Sequence, residues 1–232
     1  MKQNLKSLQN FISFFYPRCC LGCQKTLLRD EDRLCLHCFT HLPETNYHLF
    51  QDNPINCMFS GRVKVELTSA LLFYKKGNLT QHILHHLKYR GDKEIGEFLG
   101  NYYGKKLRQA PPFQAIDLIL PIPLHPKKER RRGYNQSEWI AKGLSGTMQI
   151  PYHNNVLIRS TFTETQTKKN RFGRWTNVKE VFQIVQPDLI RQKHVLLCDD
   201  VLTTGATMEA AIIKLLEIED VKVSVAGLAL AQ

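Results

Sequence analysis

The sequence lacks several features that would assign a class of protein at once. Its longest apolar runs, LTSALLF and VSVAGLALA, are far shorter than the ~20 residues that a membrane-spanning helix needs. It has neither a G-x-x-x-x-G-K-S/T loop nor a G-x-G-x-x-G fingerprint, which excludes the Walker and dinucleotide-binding motifs. Residues 1–17 have apolar side chains at helical spacing but no small-residue cleavage site, so we predict a packing helix in a soluble protein, not a secretion signal.

Acidic residues are scarce relative to basic ones. The chain has 32 Lys and Arg against 21 Asp and Glu, which gives a net charge of +11 and a pI near 9.4. Such an excess favours polyanionic partners, either nucleic acid or phosphorylated substrates. A solvated basic face without a partner is the alternative interpretation.

The seven cysteines are an odd number, and four of them form two C-x-x-C pairs separated by eleven residues. In a chain without a secretion signal, this grouping indicates reduced thiols and metal rather than disulfides. Two such turns supply four sulfurs in the tetrahedral arrangement that zinc prefers, and a filled site has a structural role. The predicted zinc ligands are Cys20, Cys23, Cys35 and Cys38.

Other residues near this module are weaker candidates. Cys19 could replace Cys20 only by converting the first pair to C-x-x-x-C, and His37 and His41 are alternative ligands. Cys198 lies in an apolar run, where a small buried thiol is expected.

Alternating strand and helix patterns from residue 67 onward predict a doubly wound α/β domain with a mainly parallel sheet. We therefore expect a ligand site at the carboxyl ends of its strands. The chain is divided into 1–60, with the N-terminal helix, the cysteine module and a connector over 47–66, and the α/β domain, 61–232. Strands are predicted at 67–74, 117–121, 195–198 and 221–229, and the last helix at about 206–216.

Two helix starts carry capping signals. Thr80 precedes apolar residues at helical spacing, and Asn135 precedes Glu138 by three residues, which is a capping-box pattern. We predict helices after both.

The most informative stretch is VLLCDDVLTTGAT, residues 195–207. It places Asp199 and Asp200 at the carboxyl end of a buried strand, directly before a Thr-rich loop that leads into a helix. Backbone N–H groups and hydroxyls of such a loop converge on a phosphate at the positive end of the helix. Gly205 lets the backbone come close to that phosphate. A sugar phosphate, with its vicinal hydroxyls on the two carboxylates, is the predicted ligand.

This stretch resembles the phosphoribosyl pyrophosphate (PRPP) binding motif of type I phosphoribosyltransferases. Nearly the whole chain resembles the ComF family, which joins a cysteine-rich zinc module to a phosphoribosyltransferase-like domain. HLKYRGDKEIGEFLG, DLILPIPLHPKKERRRGYNQSEWIAKGLS and RSTFTETQTKKNRFGRWTNVKEVF match family segments in the expected order, whereas residues 47–66 match poorly.

The resemblance implies a PRPP site with magnesium. Its loop consists of Asp199, Asp200, Thr203, Thr204, Gly205, Ala206 and Thr207. A second loop, Pro121, Ile122 and Pro123, is expected near the pyrophosphate. Candidate cations for the leaving pyrophosphate are Lys88, Arg90 and Arg171, the last within a long polar loop over 159–178 that is similar to the one closing over PRPP in related enzymes.

A nucleic-acid surface is the rival use of the basic residues. Cations interleaved with aromatic side chains can follow a phosphate backbone and stack the bases of a single strand. The candidates are Lys127, Lys128, Arg130, Arg131, Arg132, Lys168, Lys169, Arg174 and Trp175.

Three functions follow, in decreasing order of preference. The first is a competence protein in DNA uptake that binds single-stranded DNA and a PRPP-like ligand, with helicase or DNA-processing proteins as further partners. The second is an active phosphoribosyltransferase with an unknown acceptor, and the third is a non-catalytic scaffold. The family association implies a cytoplasmic location, or one at the inner face of the membrane.

Overall fold

The computed structural model describes residues 17–159 and 181–232; the predicted N-terminal helix and most of the predicted long loop lie outside these ranges. No helix within them combines the length and apolarity needed to cross a bilayer. The helices are α1 (Leu36–Thr40), α2 (Pro54–Phe59), α3 (Leu79–Tyr89), α4 (Glu94–Gln109), α5 (Pro126–Arg132), α6 (Gln136–Met148) and α7 (Ala206–Leu215). The strands are β1 (Thr68–Tyr74), β2 (Leu118–Pro121), β3 (Leu157–Arg159), β4 (Phe182–Ile184), β5 (His194–Leu202) and β6 (Lys222–Ala231).

Four strands form one parallel sheet in the order β1-β6-β5-β2. The short strands β3 and β4 pair antiparallel on either side of residues 160–180. Helices α3, α4 and α6 contribute to the buried cluster on one face of the sheet, and α2 and α7 contribute to the cluster on the other. The predicted doubly wound α/β fold is therefore confirmed.

The central strand β5 shows how the sequence forms both layers. Val195 and Leu197 belong to the cluster with α7, whereas Leu196 and Cys198 belong to the cluster with α4 and α6. Side chains alternate between the faces of a strand, and all four are fully buried. An uninterrupted apolar run is typical of a parallel strand that helices cover on both sides.

Strand β5 is longer than the four residues predicted. It continues through the acid pair to Leu202, because β6 pairs with it along this length, with Asp199 opposite Gly227 and Leu202 opposite Leu230. A Cβ on Gly227 would lie 2.6 Å from Cγ of Leu202, so glycine leaves the space that Leu202 fills. The two carboxylates thus project from a hydrogen-bonded strand and not from a loop.

The two capping predictions had different outcomes. Asn78, not Thr80, caps α3, because its side chain accepts a hydrogen bond from the Gln81 N–H, while Thr80 is buried in the first turn. Asn135 caps α6 as predicted and accepts from the Ser137 N–H. Glu138 does not complete a capping box; it accepts a hydrogen bond from Asn154 at 2.7 Å.

The segment 47–66, predicted as a connector, contains the helix α2 and packs against the sheet. Asn53 caps α2 by accepting from the Ile55 N–H at 3.1 Å. Ile55 and Phe59 are buried in the cluster that contains α7. This segment is therefore part of the core on that face.

The cysteine module also packs directly on the α/β part. Cys20 and Cys38 belong to the same buried cluster as the apolar residues of α3 and α4. A Cβ on Gly22 would lie 2.4 Å from Cδ1 of Leu79, the first residue of α3, and Arg33 pairs with Asp92 at 2.8 Å. The module and the sheet share a core, while the domain boundary near residue 60 stays a prediction.

Helices α4 and α6 approach each other along a seam of glycines. Gly96, Gly100 and Gly104 repeat every fourth residue and so lie on one face of α4. A Cβ on Gly100 would lie 2.4 Å from the carbonyl oxygen of Ile140, and one on Gly143 would lie 2.3 Å from that of Glu97. Backbone-to-backbone contact therefore fixes the position of α6.

We expect Gly143→Ala to lower the free energy of unfolding by roughly 1–3 kcal/mol, because the added methyl overpacks a backbone contact. Gly146→Ala, in the same helix, is the control: the nearest atom to its Cβ is 3.8 Å away. That variant should be neutral or more stable by up to about 1 kcal/mol, since alanine favours the helix. Denaturant titration measures the free energy of unfolding of both variants. Equal values would contradict a close backbone contact at Gly143.

Candidate functional site

The acid pair lies at the carboxyl end of the central strand β5. Ligands of open parallel sheets bind at this edge. Asp199 is held by two donors: the Ser137 hydroxyl donates to its Oδ1 at 2.7 Å, and the Asp200 N–H donates to the same oxygen at 2.9 Å. Ser137 comes from the first turn of α6, so the helix fixed by the glycine seam also fixes the carboxylate.

The two carboxylates have different environments. Burial, and then the adjacent charge of Asp200, raise the pKa of Asp199 to about 7, although the hydrogen bonds from Ser137 and Asp200 act in the opposite direction. Asp200 forms an ion pair with Nζ of Lys88, at 3.0 Å. With Asp199 neutral, the charges of Asp200 and Lys88 cancel. Ionisation of Asp199 adds one uncompensated negative charge, which a bound cation or hydroxyl donors would stabilise.

The loop after β5 has the form expected of an anion-binding turn. Thr203, Thr204, Ala206 and Thr207 are exposed, whereas Gly205 is buried and has the left-handed φ of 77° that precedes α7. A Cβ on Gly205 would also lie 3.2 Å from Cε1 of Phe59. Glycine therefore suits the left-handed turn and leaves room for Phe59 of α2, in addition to the close ligand approach that the sequence predicted.

The predicted pyrophosphate loop lies beside the acid pair. Pro121 ends β2, and the Ile122 N–H donates to the Cys198 carbonyl at 2.9 Å. The side chain of Asn135 donates to the Ile122 carbonyl at 2.9 Å. These bonds hold the backbone of 121–123 next to the residue that precedes Asp199.

The cation candidates are only partly brought together. Lys88 reaches the acid pair, whereas Arg90 is exposed at the end of α3. Arg171 lies outside the described residues, as do Lys168, Lys169, Arg174 and Trp175.

The basic run 127–132 forms the helix α5, which begins three residues after Pro123. Its first four cations are exposed. Arg132 differs, because it is half-buried and its Nη1 donates to Gln136 at 2.6 Å. The exposed cations are Lys127, Lys128, Arg130 and Arg131.

The four predicted zinc ligands come together. The sulfurs of Cys20, Cys23, Cys35 and Cys38 all lie within 4.8 Å of one another, and those of Cys23 and Cys35 are 3.7 Å apart. Zinc–sulfur bonds of about 2.3 Å in a tetrahedron separate the sulfurs by roughly 3.8 Å. Cys19 is exposed and, like His37 and His41, does not belong to the cluster.

The electrostatics of this cluster also suit a metal. Burial raises the pKa of the Cys20 thiol, but N–H groups of Cys23, Cys35 and Gly22 outweigh it and lower that pKa to about 7. Burial and the neighbouring sulfurs raise the pKa of Cys38. A divalent cation allows all four thiolates to form together, so the residues fit structural zinc.

Two residues of the site, Ser137 and Asn135, were not assigned a role from the sequence. They orient Asp199 and the 121–123 backbone, respectively. Both lie in the segment RGYNQS, for which the sequence predicted only a family resemblance and a helix start at Asn135. Only the three-dimensional packing of α6 shows which groups they contact.

Comparisons with known proteins agree with this geometry. The model of the phosphoribosyl transferase domain family matches residues 152–231. Competence protein F of Haemophilus influenzae is 34% identical over 110 residues, 46% of this chain and 48% of that protein. DNA utilization protein YhgH of Escherichia coli K12 is 30% identical over 129 residues, 54% of this chain and 56% of that protein. The chain spans about half the length of these two relatives.

Competence protein ComFC of Bacillus subtilis is 26% identical over 210 residues, 82% of this chain and 81% of that protein. Among solved structures, the glutamine PRPP amidotransferase of B. subtilis is 22% identical, with a TM-score of 0.39, and covers 56% of this chain and 26% of its own. Adenine phosphoribosyltransferase of Leishmania tarentolae is 18% identical, with a TM-score of 0.36, and covers 59% of this chain and 71% of its own.

The parallel sheet and the family match define a protein with the phosphoribosyltransferase fold. Within this class, its curated relatives are named as competence or DNA utilization proteins. The chain is similar to ComF-type competence proteins, and its N-terminal part holds a four-cysteine cluster.

We expect the purified protein to hold one zinc ion per chain and Cys38→Ser to lose it, because three thiolates leave the tetrahedron incomplete. The thermal unfolding midpoint should fall with the metal, since the module shares the core of the α/β part. Elemental analysis and thermal denaturation measure the two effects. Cys19→Ser and Cys57→Ser are matched controls at exposed thiols, and loss of zinc from either would contradict the ligand assignment.

Proposed function

We propose that this protein takes part in DNA uptake, binding a PRPP-like ligand with magnesium at the acid pair and single-stranded DNA on the adjoining basic surface. The observation that carries the proposal is the placement of Asp199 and Asp200 at the carboxyl end of β5, immediately before the Gly205 turn and α7. The names of the relatives, which refer to competence and DNA utilization, support the process.

The ligand class follows from the donors and acceptors at this edge. Exposed hydroxyls of Thr203, Thr204 and Thr207, together with N–H groups at the start of α7, suit a 5′-phosphate. The carboxylates of Asp199 and Asp200 accept from vicinal ribose hydroxyls or bind magnesium. The 121–123 loop is where the pyrophosphate is expected.

Lys88 connects the two parts of this site. Its ammonium pairs with Asp200 at 3.0 Å and is half-buried. When a magnesium ion binds the carboxylate, the ammonium is free to turn toward the pyrophosphate. Such an exchange keeps the buried charges compensated in both states.

The nucleic-acid part of the proposal depends on α5. Its four exposed cations lie in a helix that begins three residues after Pro123, and the chain as a whole carries a net charge of +11. Neutralisation of phosphates by such cations supplies affinity without reading sequence. A cytoplasmic site of action, where imported single strands arrive, is part of the proposal.

We expect calorimetric titration of PRPP with magnesium to give binding that Asp199→Asn/Asp200→Asn abolishes, since both acceptors for the sugar and the metal are weakened. Glu209→Gln is the matched control, because Glu209 is a nearby acid in the first turn of α7 that pairs with Arg62 at 2.9 Å. Circular dichroism checks the fold of each variant. If the folded wild type gives no heat of binding with PRPP and magnesium, the proposed PRPP site is wrong.

We expect Lys127→Gln/Lys128→Gln to weaken binding of a single-stranded oligonucleotide and to reduce the slope of log K against log salt by roughly 1.4, about 0.7 per phosphate contact. Lys193→Gln/Lys222→Gln changes the net charge equally but lies at the amino ends of β5 and β6, the opposite edge of the sheet. Fluorescence anisotropy over a salt series measures both variants. The same slope change in both would show that α5 is not the interface.

A further inference from the structure

Tyr89 is an exposed aromatic residue at the border of the acid-pair site. It is the last residue of α3, its side chain is 61% exposed, and its neighbour Lys88 forms the ion pair with Asp200. The exposed ring offers a flat apolar face beside the candidate ligand site, with a polar hydroxyl at its tip.

A cation and a second ring already accompany Tyr89. The guanidinium carbon of Arg132 lies 5.6 Å from the centroid of the Tyr89 ring, over its face. The imidazole of His85 lies 5.2 Å away and is tilted by 47°. Planar groups therefore gather around this ring while much of it stays open.

Only part of the hydrogen-bonding capacity of the Arg132 guanidinium is satisfied among the described residues. Its Nη1 donates to Gln136 at 2.6 Å, while its Nε is buried without a hydrogen-bond partner among the described residues. Buried donors are normally satisfied. Arg132 is also the last cation of the α5 run, so it joins the exposed phosphate-binding cations to the aromatic ring.

Two short chains of residues lead from Tyr89 to the carboxylates of the site. On one side Lys88, adjacent in sequence, pairs with Asp200. On the other side Arg132 contacts Gln136, whose neighbour Ser137 donates to Asp199. Tyr89 is thus placed near the acid pair by its neighbour Lys88 and by the Arg132–Gln136 hydrogen bond.

Trp139 provides a useful contrast. Its ring is half-buried and has the ammonium groups of Lys93 and Lys142 each 4.7 Å from its centroid. Its Cβ packs at 3.0 Å from the position of a Cβ on Gly96. This ring is engaged by the α4–α6 packing, whereas that of Tyr89 is open.

We propose that Tyr89, with Arg132 against its ring, is a stacking platform for the planar base of a nucleotide. Stacking on an aromatic face beside a guanidinium suits any base and needs no hydrogen-bond readout. The base belongs to a strand whose phosphates lie on α5, or it is a free base presented to the PRPP site. This inference rests on the proposed function and names the ligand chemistry at its border.

The test compares Tyr89→Leu, which removes the ring, with Tyr89→Phe, which keeps it. Phe50→Leu is the matched control, because Phe50 is 57% exposed and lies near Thr68 at the amino end of β1, the opposite edge of the sheet. The probes are a thymidine oligonucleotide, an abasic oligonucleotide of equal length, and free adenine in the presence of PRPP and magnesium.

We expect Tyr89→Leu to weaken binding of the thymidine oligonucleotide or of adenine by about five-fold or more, as the loss of one stacked base predicts. Tyr89→Phe and Phe50→Leu should bind as the wild type does. The salt slope should not change, because no phosphate contact is lost. An effect on the thymidine oligonucleotide alone identifies a strand base, and an effect on adenine alone identifies a free base.

The result that overturns the platform is distinct from failure of the proposed function. If the wild type binds the abasic and thymidine oligonucleotides equally and Tyr89→Leu binds adenine unchanged, the platform is wrong while the DNA surface stands. If the wild type binds neither oligonucleotide, the DNA part of the proposed function fails, and the adenine measurement alone decides the role of Tyr89.

Discussion

The buried carboxyl of Asp199 is the constraint around which the site is arranged. A carboxylate at the end of a buried strand is costly unless donors hold it, and here the Ser137 hydroxyl and the Asp200 N–H do so. Ser137 reaches it only because α6 lies tightly against α4 along the glycine seam. Burial and the charge of Asp200 raise the pKa of Asp199 to about 7 despite these two donors. A cation or hydroxyl that binds the carboxyl group can therefore change its protonation state.

The N-terminal cysteine module contributes to the same site at a distance. It packs on the start of α3 through Gly22 and Leu79, and it pairs Arg33 with Asp92 just beyond the end of that helix. Between these two contacts α3 carries Lys88 to the acid pair and Tyr89 to the border of the site. The proposed metal site and the proposed ligand site therefore both contact the same helix, α3.

Much of the architecture could be predicted from the sequence because its signals are local. The apolar run of β5, the double C-x-x-C and the Asp-Asp-x-x-Thr-Thr-Gly turn each specify their own structure through periodicity, ligand spacing and backbone conformation. The clustering of the four cysteines and the doubly wound fold are accordingly confirmed, while zinc as the metal stays a prediction. The assignments of the two loops and of Lys88 have a consistent geometry and remain predictions.

Features that depend on residues far away in the chain could not be predicted from local sequence signals. The extension of β5 to Leu202 depends on β6 opposite it, and the true cap of α3 depends on which side chain, Asn78 or Thr80, faces the core. Ser137 gained its role only through a contact 62 positions away in the chain. Residues 47–66 have a mixed composition, yet their helix α2 buries Ile55 and Phe59 against the sheet.

The contact between Phe59 and Gly205 has a consequence for how this protein can diverge. The proposed phosphate-binding turn packs near Phe59 of α2, which lies in the segment 47–66. Substitutions in that segment can move the turn by fractions of an ångström while every ligand-facing residue stays the same. Two homologues with identical loop sequences can thus differ in ligand preference, and comparison of the motif alone would not reveal it.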